Sequence, residues 1–134
     1  MSASHRAAEL SVLVVDDDEF SLELMDGVLR QLGVRNIRIA NDGKQALDLL
    51  RSGQSHPDYL ICDVFMPDTD GFEVVSQLAA THFKGTVVLV SGANPEMLSL
   101  LRSIVTDNGL TFGGACMKPV SLEQMATALS LPLP

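Results

Sequence analysis

The sequence predicts an α/β fold, in which a doubly wound, five-stranded parallel sheet carries helices on both faces. Two observations lead to this prediction. Strand-like and helix-like stretches alternate five times along the 134 residues. Residues 12–15 and 87–90 are continuous apolar runs, which are typical of parallel strands covered on both faces.

The predicted strands are residues 11–15, 36–40, 59–62, 86–90 and 112–117. The stretches between them have apolar residues at helical spacing, as in Leu24, Val28 and Leu32. Helix starts are predicted at Asn94-Pro95 and at a capping box of Ser121 with Gln124. Helix ends are expected near Gly33, Gly53 and Gly109, because glycine readily takes the left-handed conformation found there.

The length predicts one domain over residues 10–130, with an N-terminal tail at 1–9 and a C-terminal tail or linker start at 131–134. The chain has no run near the ~18 apolar residues that a membrane span needs. Its first ten residues lack the apolar region of a signal peptide, so we expect a cytoplasmic protein.

Charge and cysteine content exclude several functions. The formal net charge of −8 argues against direct binding to nucleic acid or to an anionic membrane. Cys62 and Cys116 each lie in an apolar run without metal-ligand spacing. Both are therefore predicted to be reduced core residues.

Polar residues follow four of the predicted strands. They are Asp16 and Asp17 after the first strand, Asp63 after the third, Ser91 after the fourth, and Lys118-Pro119 after the fifth. Because the carboxyl ends of parallel strands meet at one edge of the sheet, these side chains are expected to share one crevice.

This set of groups is suited to phosphoryl chemistry. Clustered carboxylates repel one another unless a cation neutralises them, and oxygen ligands of this kind suit Mg²⁺. A lysine and a hydroxyl can bind phosphoryl oxygens, while a carboxylate oxygen acts as the nucleophile. A single Asp after a strand is more often a turn residue or a helix cap, and Asp18 fits that simpler role.

The same residues carry a family resemblance over most of the chain, from about Leu10 to Leu129. The matching motifs are Val14-Val15-Asp16-Asp17, Asp63 with Met66-Pro67-Asp68-Thr69-Asp70-Gly71, Ser91, and Lys118-Pro119. The chain resembles the receiver domains of two-component response regulators, which implies a flavodoxin-like sheet with strand order 2-1-3-4-5.

The resemblance also implies residue roles. Asp63 would accept a phosphoryl group from a histidine kinase or a phosphotransfer protein. Asp16, Asp17, Asp63 and the backbone carbonyl of Phe65 would bind Mg²⁺. Ser91 and Lys118 would bind the phosphoryl group, with a cis bond between Lys118 and Pro119. A receiver of this kind signals by conformational change and is not a turnover enzyme.

Some positions depart from the usual receiver pattern. Receivers usually carry Tyr or Phe three residues before the lysine, where this chain has Ala115. Residues 109–114 resemble receivers that precede EAL-type cyclic-di-GMP phosphodiesterase domains. The apolar stripe of the fourth predicted helix suggests a homodimer through that helix, the fifth strand and the fifth helix.

Two other functions remain open on the sequence alone. The chain would serve as an interaction module if Asp63 were not phosphorylated. A haloacid-dehalogenase-like phosphatase also uses Asp, Ser or Thr, Lys and Mg²⁺, but it places a second Asp two residues after the nucleophile, where this chain has Phe65.

Overall fold

The structure is a computed structural model that describes residues 3–53, 56–64, 71–81, 83–92 and 95–134. The predicted helix start at Asn94 lies outside these residues. No helix in the described ranges has both the length and the apolar character needed to cross a membrane.

Five parallel strands form one sheet in the order β2-β1-β3-β4-β5. They are β1 (Ser11–Val15), β2 (Asn36–Ala40), β3 (Tyr59–Asp63), β4 (Thr86–Ser91) and β5 (Thr111–Met117). The predicted fold class and strand order are therefore confirmed. Strands β3 and β4 extend one residue beyond the prediction, so that Asp63 and Ser91 are the last residues of their strands.

The helices lie on both faces of the sheet. They are α1 (Ala3–Glu9), α2 (Glu19–Gln31), α3 (Gly43–Arg51), α4 (Gly71–Ala80), α5 (Pro95–Asp107) and α6 (Leu122–Ala128). One core cluster joins α1, α2 and α6 to one face, with Met25, Leu29 and Met125 at its centre. The other joins α3, α4 and α5 to the opposite face through residues such as Leu78 and Leu101.

Within the predicted N-terminal tail of residues 1–9, residues 3–9 form helix α1. Ala7 is buried in the first core cluster, and Arg6 Nη1 donates a 2.8 Å hydrogen bond to the carbonyl of Ser130. Leu131, predicted to begin a C-terminal tail, is also buried in this cluster. Such a short helix has no repeated apolar stripe, so periodicity does not reveal it.

Helix boundaries follow the predicted signals with one exception. Gly33, Gly53 and Gly109 all have positive φ angles after helices. Ser121 caps α6 by accepting a 3.1 Å hydrogen bond from the backbone N–H of Gln124. However, the Gln124 side chain bonds to the backbone of Met117 rather than closing the predicted capping box.

Candidate functional site

The carboxyl edge of the sheet brings together the polar residues predicted from the strand ends. Asp63 ends β3 and is 4% exposed, while Asp16 directly follows β1 and is fully buried. Asp17 is exposed. Oxygen atoms of these three carboxylates all lie within 4.8 Å of one another, which confirms their predicted proximity.

The hydrogen bonds of Asp16 show why this cluster fits a cation. Its Oδ1 atom accepts a 2.9 Å hydrogen bond from the backbone N–H of Asp18. Its Oδ2 atom is buried and lies 2.9 Å from the ammonium group of Lys118. A buried carboxylate oxygen in this position, with two further carboxylates beside it, provides the hard oxygen ligands that Mg²⁺ prefers.

Lys118 reaches into the same cluster. Its Nζ atom lies 2.9 Å from Asp16 Oδ2 and 3.4 Å from Asp63 Oδ2. Partial burial of Lys118 disfavours its charge, but the hydrogen bonds and negative charges of Asp16 and Asp63 outweigh this effect and raise its pKa. The ammonium group therefore stays charged and partly balances the carboxylates.

Backbone pairing fixes Lys118 next to Ser91. Ser91 is fully buried at the end of β4 and is in register with Met117, the last residue of β5. The backbone N–H of Lys118 donates a 2.8 Å hydrogen bond to the carbonyl of Ser91. The Lys118-Pro119 bond is cis, as predicted.

Asp18 has the simpler role considered for it. It is the N-cap of α2, and its Oδ2 atom accepts hydrogen bonds from the backbone N–H of Ser21 at 3.3 Å and from the hydroxyl of Ser21 at 2.9 Å. The Ser21 hydroxyl contributes most to the lowered pKa of Asp18. Asp18 is thus a helix cap beside the carboxylate cluster.

Phe65, whose carbonyl was predicted to be a metal ligand, lies outside the described residues. The same is true of residues 66–70, which carry part of the family motif. The ligand role of Phe65 therefore stays a prediction.

An apolar hollow of about 290 Å³ borders the site and was missed by the sequence analysis. Residues of α2 and of the segment after β5 line it, including Phe20, Leu24, Lys118 and Pro119. Phe20 is 73% exposed. The sequence feature that could have indicated this hollow is that Phe20 and Leu24 are apolar but lie outside the buried stripe of α2. That stripe consists of Leu22, Met25, Val28 and Leu29.

A second hollow lies where receivers usually carry an aromatic residue. Ala115 is exposed on β5, and a space of about 300 Å³ opens between Gly113, Gly114 and Ala115 on one side and α6 on the other. Gly113 is the extra residue of a bulge, because Phe112 pairs with Val87 while Gly114 pairs with Val88.

Comparison with known proteins gives a consistent result. The family model described as "Response regulator receiver domain" matches residues 12–130. The two-component response regulator ORR24 of Oryza sativa is 33% identical over 121 residues, covering 88% of this chain and 18% of ORR24. The cyclic di-GMP phosphodiesterase RocR of Pseudomonas aeruginosa is 31% identical over 122 residues, covering 91% of this chain and 31% of RocR.

The chain thus spans less than a third of either curated relative, and the match to RocR agrees with the predicted resemblance to receivers of EAL-type proteins. A response regulator from Colwellia psychrerythraea superposes with a TM-score of 0.74 at 26% identity, covering 90% of this chain and 92% of that one. The receiver domain of the histidine kinase CKI1 from Arabidopsis thaliana, solved with Mg²⁺ and BeF₃⁻, shares the fold with a TM-score of 0.74, covering 96% of this chain and 95% of that one at 23% identity.

Proposed function

This chain belongs to the family of response regulator receiver domains, and we propose that its Asp63 accepts a phosphoryl group from a sensor histidine kinase or a phosphotransfer protein. The observation that carries this assignment is the position of Asp63. It is a nearly buried carboxylate whose Oδ2 atom lies 3.4 Å from Lys118 Nζ, in a cluster with Asp16 and Asp17.

The transfer needs one nucleophile and groups that stabilise negative charge. A carboxylate oxygen of Asp63 attacks the phosphorus of a phosphohistidine. The new P–O bond forms as the P–N bond breaks, and the imidazole leaves with the bonding electron pair and then takes up a proton. Lys118 and Ser91 bind the oxygens of the phosphoryl group.

Asp16, Asp17, Asp63 and the carbonyl of Phe65 would hold Mg²⁺. When bound, the metal ion supplies positive charge that reduces carboxylate repulsion and balances the charge on the phosphoryl oxygens. The burial of Asp16 and the closeness of its carboxylate to those of Asp17 and Asp63 support its role as a ligand or as a close neighbour of one.

The apolar hollow beside Lys118 supports docking of a partner protein next to Asp63. Phe20 and Leu24 give the partner an exposed apolar contact. A donor histidine has to reach Asp63, and this hollow borders the same crevice.

A homodimer through α5, β5 and α6 is a second proposed interaction. Extra helix α1 shifts the numbering, so α5 and α6 are the fourth and fifth helices of the sequence prediction. Leu100 on α5 is 53% exposed and Met117 on β5 is 37% exposed. Both provide apolar surface for such a contact.

Intact-mass measurement after incubation with acetyl phosphate and Mg²⁺ tests phosphoryl acceptance. We expect the wild-type chain to gain the mass of one phosphoryl group, and Asp63→Asn to gain none. Asp18→Asn is the matched control, because Asp18 is a neighbouring carboxylate that serves as a helix cap. Removal of Mg²⁺ with EDTA should prevent the adduct.

This experiment, together with an assay of phosphate release from a phosphate monoester, separates the alternatives. A wild-type chain without an adduct would favour a receiver-like interaction module. Continuous release of phosphate from many equivalents of a phosphate monoester would favour a phosphatase, in contrast to the single transfer expected of a phosphoacceptor.

A further inference from the structure

Lys118 follows directly after the end of an edge strand. Strand β5 is the last strand of the sheet and pairs only with β4 among the described strands. An edge strand presents unpaired backbone N–H and C=O groups on its outer side. At Met117, the residue before Lys118, both outer groups contact the same side chain.

That side chain is Gln124 of α6. The backbone N–H of Met117 donates a 2.7 Å hydrogen bond to Gln124 Oε1, and Gln124 Nε2 donates a 3.4 Å hydrogen bond to the carbonyl of Met117. The amide of Gln124 thus takes the place of a neighbouring strand at one residue. On the inner side, which faces β4, the backbone N–H of Lys118 donates a hydrogen bond to the carbonyl of Ser91.

We propose that Gln124 is a positioning residue, which holds the backbone before Lys118 so that its ammonium group remains between Asp16 and Asp63. Gln124 holds the backbone of Met117 on the outer side of β5, and Ser91 holds the backbone of Lys118 on the inner side. Together they limit rotation and displacement of the chain from which the Lys118 side chain projects. This inference rests on the proposed function only where it concerns phosphoryl transfer.

Ser121, at the start of α6, provides a control for the positioning role of Gln124. The Ser121 hydroxyl accepts a hydrogen bond from the backbone N–H of Gln124 at the N-terminus of α6. Loss of that cap is expected to weaken the helix while the contact between the Gln124 side chain and Met117 stays in place. Ser121→Ala therefore separates helix stability from backbone positioning.

The experiment compares wild type with Gln124→Met, Gln124→Glu and Ser121→Ala. Methionine keeps the side-chain length and favours helix, but it forms neither hydrogen bond. Glutamate retains an acceptor for the Met117 N–H. Three quantities are measured for each protein: amide exchange at Met117, the NMR signal of the ¹⁵N-labelled Lys118 ammonium group, and the rate of phosphorylation by acetyl phosphate with Mg²⁺.

In Gln124→Met we expect fast exchange of the Met117 amide and broadening of the Lys118 signal. We also expect a roughly fivefold lower phosphorylation rate, because small displacements of a positioned group reduce reaction rates. Gln124→Glu should retain most of the amide protection and most of the rate. Ser121→Ala should have a lower melting temperature, with the Lys118 signal and the rate at wild-type levels.

The proposal is overturned if Gln124→Met exposes the Met117 amide without changing the Lys118 signal or the rate. It is also overturned if Ser121→Ala lowers the rate as much as Gln124→Met does, since helix stability would then explain both effects. A wild-type chain that takes no phosphoryl group would contradict the proposed function alone, because the exchange and NMR measurements test the positioning of Lys118 independently.

Discussion

The ammonium group of Lys118 lies 2.9 Å from Oδ2 of Asp16, a carboxylate with no exposed surface. The same ammonium group lies 3.4 Å from Asp63. One lysine therefore balances two carboxylates, while Asp17 adds a third negative charge nearby. The stability of this edge of the sheet and its affinity for cations should consequently depend on each other.

Lys118→Met is expected to destabilise the Mg²⁺-free chain by about 3 kcal/mol, because it leaves buried carboxylates without their cation. Addition of Mg²⁺ should recover part of this loss by neutralising the same groups. Urea unfolding with and without Mg²⁺ measures both effects. Lys84→Met, at an exposed lysine, is the control and should change little. Equal stability of Lys118→Met and wild type without Mg²⁺ would contradict the prediction.

Asp18 should make the stability of the chain depend on pH in the acid range. The hydrogen bond from the Ser21 hydroxyl is the main reason that the pKa of Asp18 lies below its usual value of 3.8. A lowered folded-state pKa contributes stability above pH 3.8, and that contribution is lost as the pH falls through the lowered pKa.

Asp18→Asn retains a capping side chain but does not titrate. As the pH falls from 3.8 through the lowered pKa of Asp18, wild type should therefore lose more stability than Asp18→Asn in thermal unfolding, because only wild type loses a charged cap. Identical losses in the two proteins would show that the Asp18 cap does not contribute to the pH dependence.

Both cysteine thiols should be unreactive in the folded chain. Burial raises the pKa of Cys62 to about 12, with help from the charges of Asp63 and Asp16, and it raises the pKa of Cys116 to about 11. Since the thiolate is the reactive form, a disulfide reagent at neutral pH should react slowly until urea is added.

Absorbance of the released thiolate measures this reaction. Ser103→Cys places a thiol at an exposed position of α5 and should add one rapidly reacting equivalent. Rapid reaction of the wild-type chain without urea would contradict the predicted burial of Cys62 and Cys116.

The bulge at Gly113 should not tolerate a side chain. A Cβ atom at this position would overlap Cγ2 of Thr86, so Gly113→Ala is expected to destabilise the chain by roughly 2 kcal/mol. Thr86→Ser removes that methyl group. Adding this change to Gly113→Ala should therefore recover part of the lost stability. Gly27→Ala is the control, because a Cβ at Gly27 meets nothing within 4 Å and alanine favours the helix. Urea unfolding distinguishes the four proteins.

Signal transmission should depart from the usual receiver pattern, because Ala115 replaces the aromatic residue of that pattern. We expect a beryllofluoride phosphoryl mimic to change hydrogen exchange mainly at Ser91, Gly92 and α5. Exchange measured with and without the mimic tests this, with Asp63→Asn as the control that should not respond. An unchanged Ser91 segment would contradict the prediction.

The strand ends were the part of the site that local sequence could predict. Each of Asp16, Asp63, Ser91 and Lys118 follows or ends a short apolar run, and the topology of a parallel sheet brings such positions to one edge. The helix cap at Ser121 was also predicted, since its partner lies three residues away in the chain. These features depend on periodicity and short spacing alone.

Where a polar group had more than one possible hydrogen-bond partner, the tertiary structure determined which one it bonds to. Gln124 had a local partner in the capping box, yet its amide bonds to Met117 because the edge of β5 presents unpaired backbone groups beside α6. Packing also determined that Ala7 is buried in the core and that Phe20 is exposed beside Lys118. Local sequence determines the type and spacing of side chains, whereas burial and pairing depend on residues that approach from distant parts of the chain.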